Sequence, residues 1–252
     1  MSFLTLPDRS AKPRERGVTH VLDKGLSLAD VDGMIEVAGE SVDIVKLGWG
    51  TALATGNLTA KLARYREHEI PVVLGGTLTE LAIAQDRLEE LIAWVHELGL
   101  RYFEISDGTI ALEHDLKLEL IARLAQEFTV LSEVGSKDDT GAITPPYRWV
   151  EMMRDELGAG AWKVIAEGRE AGTAGIFRPT GEVREGLIGE IVHEIAADRI
   201  MFDAPRKHQQ VWFVRRFGPD VNLGNIAASD VLALETLRLG LRSDTLATEP
   251  RG

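Results

Sequence analysis

Residues 18–47 read VTHVLDKGLSLADVDGMIEVAGESVDIVKL, and this stretch predicts the fold. It opens with an apolar run of strand type, Val18–Asp23, and passes through a glycine-containing loop into Leu28–Ala38, where apolar residues recur with a helical period. A second run of strand type, Val42–Leu47, follows a short turn. Two strands joined by one helix through short connections run parallel with a right-handed crossover, so the stretch is one β-strand–helix–β-strand unit.

The same pattern of strand and helix recurs eight times along the chain. The predicted strands are Val18–Asp23, Val42–Leu47, Pro71–Leu74, Arg101–Ser106, Thr129–Glu133, Trp162–Glu167, Arg199–Asp203 and Val221–Leu223. The predicted helices are Leu28–Ala38, Leu58–His68, Gln85–Leu98, Asp115–Gln126, Pro146–Leu157, Glu185–Ala196, Lys207–Phe217 and Ser229–Leu241. This alternation predicts an α/β fold, a single (β/α)8 TIM barrel, and the alternative is an open doubly wound sheet.

Capping residues mark the ends of several predicted helices. Ser27 and Ser229 stand where N-caps are expected, and glycines stand where helices should stop. These glycines are Gly39, Gly99, Gly158 and Gly218. We predict that residues 17–252 form the barrel as one domain, and that residues 1–16 form a short N-terminal arm that either covers the bottom of the barrel or is mobile.

Composition places the chain among ordinary globular proteins and excludes several functional classes. The 252 residues are 44% hydrophobic and include no Cys, which excludes disordered and disulfide-stapled classes and leaves oxygen or imidazole ligands for any metal. The formal net charge of −12 argues against nucleic acid and anionic membranes as partners. No apolar stretch has the length of a signal-peptide core near the N-terminus or of a membrane helix, so we expect a cytoplasmic protein.

The fourth predicted strand directs polar side chains into the barrel. In a barrel of this kind the site forms at the carboxyl ends of the strands. Alternation along this strand directs Phe103 and Ile105 towards the helices, which leaves Glu104 and Ser106 pointing into the mouth. A buried carboxylate is costly unless it is paired, so Glu104 is expected to have a partner there.

The second and sixth strands add charges of both signs. Alternation directs Lys46 inward with Ile44, and Glu167 and Arg169 inward with Ile165. Carboxylates and cations in one pocket fit a divalent ion together with a multiply anionic ligand, and Mg²⁺ suits a mouth with oxygen ligands and few histidines. The alternative is an ion-pair network that serves stability alone, and such a network would not be confined to one end of the barrel.

Other candidates each have an ordinary alternative. Lys137 lies in a polar loop and is either a catalytic acid or a solvated lysine. Lys207 opens the seventh predicted helix and Asn225 follows the eighth predicted strand, positions at which barrels often bind phosphate. Trp49 stands between two glycines at a strand end and is a candidate for lining the site. The histidines expected to titrate near neutrality are His20 and His208.

Nine segments between Gly17 and Thr245 carry a family resemblance, in a consistent order. They are Val21–Leu26, Val45–Thr51, Gly75–Leu78, Glu104–Gly108, Glu133–Gly135, Glu167–Glu170, Ala204-Pro205 with Gln209-Gln210, Asn222-Leu223 with Asn225–Ala227, and Leu234–Arg238 through Gly240–Arg242. With these segments the chain resembles the phosphosulfolactate synthase family, archaeal and bacterial enzymes that add sulfite to phosphoenolpyruvate. The same resemblance extends to plant heat-stress-associated proteins.

The resemblance implies a (β/α)8 barrel and Mg²⁺-dependent formation of (2R)-phospho-3-sulfolactate, an early step towards coenzyme M or sulfolactate. Taken with the strand-end positions, it gives three sets of expected site residues. The expected metal ligands are Glu104, Glu133, Glu167 and Asp203. The expected catalytic residues are Lys137, which aligns with the family's general acid, Lys46 and Lys24. The expected substrate-binding residues are Arg169, Lys207, Trp49, Ser106 and Asn225.

Two other functions stay open at this point. The same pocket can take phosphoenolpyruvate with a different nucleophile, or the chain can be a non-catalytic, stress-associated interaction protein. The joint presence of so many cations and carboxylates at strand ends argues against a mere scaffold. We expect small anionic substrates as partners, and a homo-oligomer that assembles through helix faces.

Overall fold

The computed structural model describes residues 3–110, 112–135 and 144–246. In these ranges eight strands form one sheet: β1 Thr19–Asp23, β2 Ile44–Leu47, β3 Val72–Leu74, β4 Tyr102–Ile105, β5 Thr129–Val134, β6 Lys163–Ala166, β7 Ile200–Asp203 and β8 Leu223–Ala227. Their order is β3-β2-β1-β8-β7-β6-β5-β4, and each neighbouring pair in that order is parallel. β3 also lies beside β4, although no backbone ladder joins these two described strands. The sheet is a nearly closed barrel, so the prediction of a single (β/α)8 TIM barrel is confirmed.

Ten α-helices of the described chain connect these strands. They are α1 Leu28–Ala38, α2 Thr51–Ala54, α3 Leu58–Glu67, α4 Gly76–Ala84, α5 Leu88–Glu97, α6 His114–Leu124, α7 Pro146–Ala159, α8 Glu185–Glu194, α9 Lys207–Phe217 and α10 Val231–Arg238. The predicted bounds of α1 and α9 are confirmed. Ser27 caps α1, because its hydroxyl accepts from the N–H of Asp30 while the Asp30 carboxylate accepts from the N–H of Ser27. None of the helices in the described ranges has the length and apolar character needed to cross a membrane.

The sequence does not predict α2 and α4. Both begin directly after glycine-rich strand ends, where the composition indicates a loop. The first turn of α4 is Gly-Thr-Leu-Thr, and the helix forms because Leu78 and Ala82 are buried against the barrel. Tertiary packing therefore overrides weak helix propensity here.

Two of the residues predicted to mark helix ends do not do so. Gly158 lies inside α7, and the helix ends at Gly160, whose φ of +119° is a left-handed conformation that suits glycine. Ser229 does not cap α10, since it lies in a single 3-10 turn and Asp230 occupies the N-cap. The other helix stops follow the expectation, at Gly39, Gly99 and Gly218.

The last strand lies later in the chain than predicted. The sequence predicts Val221–Leu223, whereas β8 is Leu223–Ala227. Gly224 and Asn225 are uncommon in strands, which is why the apolar pattern ends too early. Asn225 is consequently a residue of the strand rather than of the loop that follows it.

Apolar side chains form one layer inside the barrel and another outside it. The inner cluster consists of Val18, Ile44, Val73, Leu131, Ile165 and Met201. Phe103 and Ile105 belong to the outer cluster between strands and helices. The predicted alternation of β4 is confirmed, and so is the inward direction of Ile44 and Ile165.

The N-terminal arm lies across the bottom of the barrel, at the amino ends of the strands. Arg9 donates to Asp220 Oδ1 at 2.6 Å and to Glu235 Oε1 at 3.0 Å. Arg14 donates to Asp43 Oδ1 at 2.9 Å. The carbonyl oxygen of Glu15 accepts from Lys163 Nζ at 2.7 Å. These contacts tie the arm to the segments at the start of β2, β6 and β8.

Candidate active site at the carboxyl ends of the strands

A cavity of about 440 Å³ opens at the carboxyl ends of the strands. Most of the expected site residues line it, and they are Lys46, Trp49, Glu104, Ser106, Glu133, Glu167, Arg169, Asp203 and Asn225. Backbone-rich segments complete the wall, with Gly75, Gly76 and Thr77 on one side and Glu170 and Ala171 on the other. Both signs of charge therefore meet in one cavity, as the strand alternation predicts.

Lys46 provides a buried positive charge on the wall of the cavity. Its Nζ lies 3.1 Å from Glu104 Oε1 and 3.7 Å from Glu133 Oε2. Burial lowers the pKa of Lys46, but the carboxylates of Glu104, Glu133 and Asp203 outweigh burial, so the net pKa lies above the ordinary value. Lys46 therefore stays protonated near neutral pH, and such a group suits electrostatic stabilisation better than proton donation.

Glu104 is held by its neighbours through one carboxylate oxygen only. Oε1 accepts from Lys46 and, at 2.7 Å, from the N–H of Gly76 in the first turn of α4. Thr79 of the same helix donates to the main-chain oxygen of Glu104 at 2.8 Å. Oε2 is buried and has no donor among the described residues. Burial raises the pKa of Glu104, Lys46 opposes this, and Glu133 adds to it, leaving the pKa above its usual value.

Asp203, at the end of β7, repeats this arrangement elsewhere on the cavity wall. Its Oδ2 accepts from the N–H of Gly168 at 3.0 Å and from Asn225 Nδ2 at 2.7 Å. Its buried Oδ1 has no donor within the described ranges. Burial raises the pKa of Asp203 to about 7, with Lys46 acting against the rise and Glu133 adding to it. A second positive charge in the cavity would stabilise the ionised form of this carboxyl group.

Three non-glycine residues on the cavity wall have left-handed backbones. The φ angles are +53° at Trp49, +52° at Arg169 and +53° at Asn225. Such a conformation costs about 1–2 kcal/mol for an L-residue, so the surrounding structure must hold it in place. At Trp49 the constraint is visible, because a Cβ on Gly75 would lie 2.8 Å from the Trp49 nitrogen. Strain of this kind concentrated at one cavity is typical of a functional site.

Two of the expected site residues in the described ranges do not line the cavity. Lys24 lies at its rim, where Nζ is 2.8 Å from Glu170 Oε1. Lys207 does not face the cavity, because its Nζ pairs with Asp244 Oδ2 at 2.7 Å. Lys137 lies outside the described residues.

A carboxylate that the sequence analysis missed holds the loop after β4. Glu80 of α4 is buried and accepts hydrogen bonds from the Ser106 hydroxyl and from the N–H groups of Thr109 and Ile110. Because Ser106 donates its proton to Glu80, its oxygen presents acceptor lone pairs to the cavity. No sequence pattern indicates the role of Glu80, because the helix that carries it, α4, is not predicted from the sequence.

A second missed cluster lies behind β5, outside the barrel. Lys117 Nζ is 2.8 Å from Glu156 Oε1 and 3.1 Å from Asp107 Oδ1, and it donates to the main-chain oxygen of Glu133 at 2.8 Å. A signal for it exists, because Lys117 shares a helical face with the buried Ile121. The cluster fixes the backbone that carries Glu133 into the cavity.

Two polar residues of β1 do not act in the cavity. Asp23 points away from the cavity and accepts from Lys61 Nζ at 3.0 Å and from the Tyr65 hydroxyl at 3.0 Å. Burial lowers the pKa of His20 well below its ordinary value, with Lys46 adding to the effect. His20 is therefore neutral, and the expectation that it titrates near pH 7 is wrong. His208 lies outside the barrel, with Nε2 3.0 Å from the Gly181 oxygen.

Across the described ranges, no three His, Asp or Glu side chains are arranged so that together they could hold a metal ion. The four expected metal ligands nevertheless line one cavity. Two of them, Glu104 and Asp203, each have one buried carboxylate oxygen that accepts no hydrogen bond from a described residue.

Comparison with known proteins gives matches over nearly the whole chain. The family described as (2R)-phospho-3-sulfolactate synthase (ComA) matches residues 7–244. The phosphosulfolactate synthase of Bacillus subtilis is 43% identical over 96% of this chain and 97% of its own length. That of Methanothermobacter thermautotrophicus is 43% identical over 97% and 96%. Protein HEAT-STRESS-ASSOCIATED 32 of Arabidopsis thaliana is 22% identical over 94% and 91%.

A solved structure resembles the fold at much lower sequence identity. The 3-keto-L-gulonate-6-phosphate decarboxylase of Vibrio cholerae superposes with a TM-score of 0.53 at 11% identity, over 89% of this chain and 97% of that chain. At this identity the likeness concerns the barrel alone. The sequence matches are therefore what relates this chain to an activity.

Proposed function

The chain belongs to the (2R)-phospho-3-sulfolactate synthase family of enzymes, and we propose that it adds sulfite to phosphoenolpyruvate in a Mg²⁺-dependent reaction that forms (2R)-phospho-3-sulfolactate. One observation carries this proposal. A single cavity is lined by Lys46, whose pKa is raised, by Arg169, and by Glu104 and Asp203, each of which has one buried carboxylate oxygen without a described donor. Such a cavity suits a small, multiply anionic substrate together with a divalent cation.

The residues present fit Mg²⁺. Mg²⁺ often takes only one or two protein carboxylates and fills its remaining positions with waters and substrate oxygens, so a set of three carboxylates is not required. Glu104 Oε2 and Asp203 Oδ1 are the buried oxygens that would hold it, with Glu133 and Glu167 in the same cavity. When bound, Mg²⁺ would supply positive charge to the substrate carboxylate on which negative charge develops.

The reaction forms one carbon–sulfur bond and has no leaving group. The sulfur lone pair of sulfite attacks C3 of phosphoenolpyruvate, and the electrons of the C2–C3 double bond move towards C2 and its carboxylate. A proton then adds at C2. The chain's task is to hold two anions together against their repulsion and to stabilise the charge that develops at the carboxylate.

Lys46 and Arg169 share this electrostatic task. Lys46 Nζ, fixed by Glu104 and Glu133, provides charge on the β2 side, and it keeps its proton because its pKa is raised. Arg169 reaches the cavity from the loop after β6, and its planar guanidinium suits a phosphate or sulfite oxyanion. Because Lys46 keeps its proton, the donor to C2 is a different group, and Lys137 is the residue that we propose for this step.

Purified protein incubated with phosphoenolpyruvate, sulfite and Mg²⁺ tests the proposal. We expect a phosphosulfolactate product by mass spectrometry, no product with EDTA, and recovery when excess Mg²⁺ is restored. Lys207→Ala is the control variant, because Lys207 pairs with Asp244 outside the cavity. Bound phosphoenolpyruvate without product would point to a different nucleophile, and the absence of both binding and product would contradict the enzymatic proposal.

We also propose that the protein is a homo-oligomer that assembles through the outer faces of its helices. Light scattering of the purified protein should give a mass above that of one chain. A mass near 27.6 kDa, that of a single chain, would contradict this expectation.

A further inference from the structure

The side chain of Gln209 is fully buried in the first turn of α9, outside the cavity. Its Nε2 donates to the main-chain oxygens of Gly172 at 2.8 Å and Gly181 at 3.0 Å. Its Oε1 accepts from the N–H of Arg206 at 3.1 Å. One amide therefore joins the start of α9 to two points in the loop between β6 and α8.

That loop, residues 167–184, carries one wall of the cavity. Arg169, Glu170 and Ala171 line the cavity just before the first of these two points. Arg169 and Gly172 form a turn closed by the hydrogen bond from Gly172 N–H to the Arg169 oxygen, at 3.1 Å. Gln209 holds the last carbonyl of this turn.

The contact between the loop and Gln209 leaves no spare room. Gly172 has a φ of +61°, and a Cβ there would lie 2.7 Å from both polar atoms of the Gln209 amide. Gly181 also has a left-handed φ, of +90°. The backbone conformation of the loop is therefore fitted to this side chain at Gly172, whereas at Gly181 a Cβ would meet Arg206 Nη1 at 2.8 Å.

Arg169 itself has a left-handed backbone, which its own sequence does not favour. A residue in such a conformation keeps it only when neighbouring contacts fix it. The turn that follows Arg169 is fixed at Gly172, and the fixing group is Gln209. The backbone of Arg169 is thus connected through one turn to an amide that does not reach the cavity, while the guanidinium lies 3.9 Å from Glu167 Oε1.

We propose that Gln209 is a positioning residue for anion binding, because it holds the β6–α8 loop in the conformation that directs Arg169 into the cavity. This inference rests on the proposed function insofar as the bound anion is phosphoenolpyruvate. Loss of the Gln209 amide should weaken substrate binding, since Arg169, which would bind the oxyanion, is displaced. It should alter the rate at saturating substrate much less, since Lys46, Glu104 and Asp203 lie on strands and stay in place.

The test compares Gln209→Leu with Asn222→Leu. Asn222 is an equally buried amide at the opposite end of the barrel, and it too donates to two main-chain oxygens, Asp198 and Ile200, and accepts from one N–H, that of Val18. Both variants lose three hydrogen bonds and should lose comparable stability. Only Gln209→Leu should raise KM for phosphoenolpyruvate, by about tenfold, with kcat changed by less than about threefold.

Two further measurements do not need turnover. The dissociation constant of inorganic phosphate, measured by calorimetry, should rise for Gln209→Leu and stay constant for Asn222→Leu. Hydrogen exchange of residues 168–184 should accelerate in Gln209→Leu alone. Equal KM and phosphate affinity in the two variants, or an unchanged exchange rate in this loop, would overturn the proposal.

The design separates failure of this inference from failure of the proposed function. If the wild-type protein makes no phosphosulfolactate, the proposed function fails, while the phosphate and exchange measurements still decide the role of Gln209. If Gln209→Leu does not fold, Gln209→Glu replaces it, because a carboxylate keeps the acceptor for Arg206 and removes the two donors. The same shifts in phosphate affinity and loop exchange are expected of that variant.

Discussion

At the amino ends of the strands, each oxygen of the carboxylates of Asp43, Asp220 and Glu235 accepts a hydrogen bond. At the carboxyl ends, Glu104 and Asp203 each satisfy one oxygen and leave the other buried without a described donor. Both ends hold buried charge, so the presence of charge does not mark the functional end. What distinguishes it is the incomplete satisfaction of these two carboxylates, because a stability network gains nothing from a buried oxygen without a donor. At the amino end the buried Arg238 Nε also lacks a described acceptor, but all three carboxylates accept at both oxygens.

The largest expected effect is at the carboxyl end, in Asp203→Asn. An amide keeps the shape of the side chain and removes the charge, so we expect turnover to fall by about 10²- to 10³-fold. The unfolding temperature should stay the same or rise, since burial already raises the pKa of Asp203 to about 7 and disfavours its charge. Steady-state kinetics and thermal unfolding of the same preparation test this. A variant with full turnover would remove the contrast between the two ends.

The opposite result is expected at the amino end, in Arg9→Met. Arg9 is almost buried and binds both Asp220 and Glu235, so its loss leaves two carboxylates without their cation. The free energy of unfolding should fall by about 3 kcal/mol, while kcat of the folded protein at 25 °C is unchanged. Urea unfolding measures the first quantity and kinetics the second. A large fall in kcat with an unchanged free energy of unfolding would show that the amino end also contributes to catalysis.

A third difference between the two ends concerns Lys163, at the amino end of β6, and the pH dependence of the free energy of unfolding. Burial lowers the pKa of Lys163 from 10.5 to about 8, although Glu15 and Asp198 oppose the shift. Between pH 8 and 10.5 the unfolded chain therefore binds a proton at Lys163 that the folded chain lacks, so this group makes stability rise with pH. The cost of burying the charged lysine is fully present below pH 8 and is relieved above it.

Lys163→Met removes this dependence. Relative to the variant, the wild-type protein should gain about 2 kcal/mol in unfolding free energy between pH 7.5 and pH 10, which allows for solvent screening near the end of the barrel. Chemical unfolding at the two pH values measures the gain. A constant difference between the two proteins would mean that Lys163 keeps an ordinary pKa.

The smallest effect is expected for Lys207→Ala. Lys207 is exposed and pairs with Asp244 away from the cavity, so turnover should stay within about twofold and unfolding free energy within about 0.5 kcal/mol. The same assay with Lys46→Met provides the contrast, because Lys46 lies on the cavity wall. A tenfold loss in Lys207→Ala would place Lys207 in the working site after all.

The sequence predicts which side chains enter the mouth better than it predicts what they do there. Strand alternation is a local property with a period of two, so Lys46, Glu104 and Glu167 could be placed from their own strands. The partner of Lys46 depends on how β2 and β4 face each other across the barrel, which no local pattern contains. The pairing of Lys207 with Asp244, which keeps the lysine side chain away from the cavity, could not be predicted for the same reason, because Asp244 lies 37 residues later in the chain.

Contrary to the expectation from the sequence, a stability network does gather at one end of the barrel. At the amino end, Arg9 and Arg14 of the arm pair with Asp43, Asp220 and Glu235, which come from three distant segments. No local pattern indicates the role of Glu80, and Gln209 enters only as part of the family resemblance, because each acts on the backbone of a loop through contacts that close only in the folded chain. The N–H of Gly76, which donates to Glu104, could not be predicted either, because the composition of the first turn of α4 indicates a loop.

The edge between β3 and β4 is closed by α4 instead of by a ladder, since Gly76 and Thr79 of that helix both bind Glu104. A barrel closed by side chains at one edge can change its circumference there without breaking strand pairing. Glu104 belongs both to this closure and to the wall of the cavity. Occupancy of the cavity therefore acts on a residue that also closes the barrel, and hydrogen exchange at the amides of β3 and β4 should slow when an anion binds.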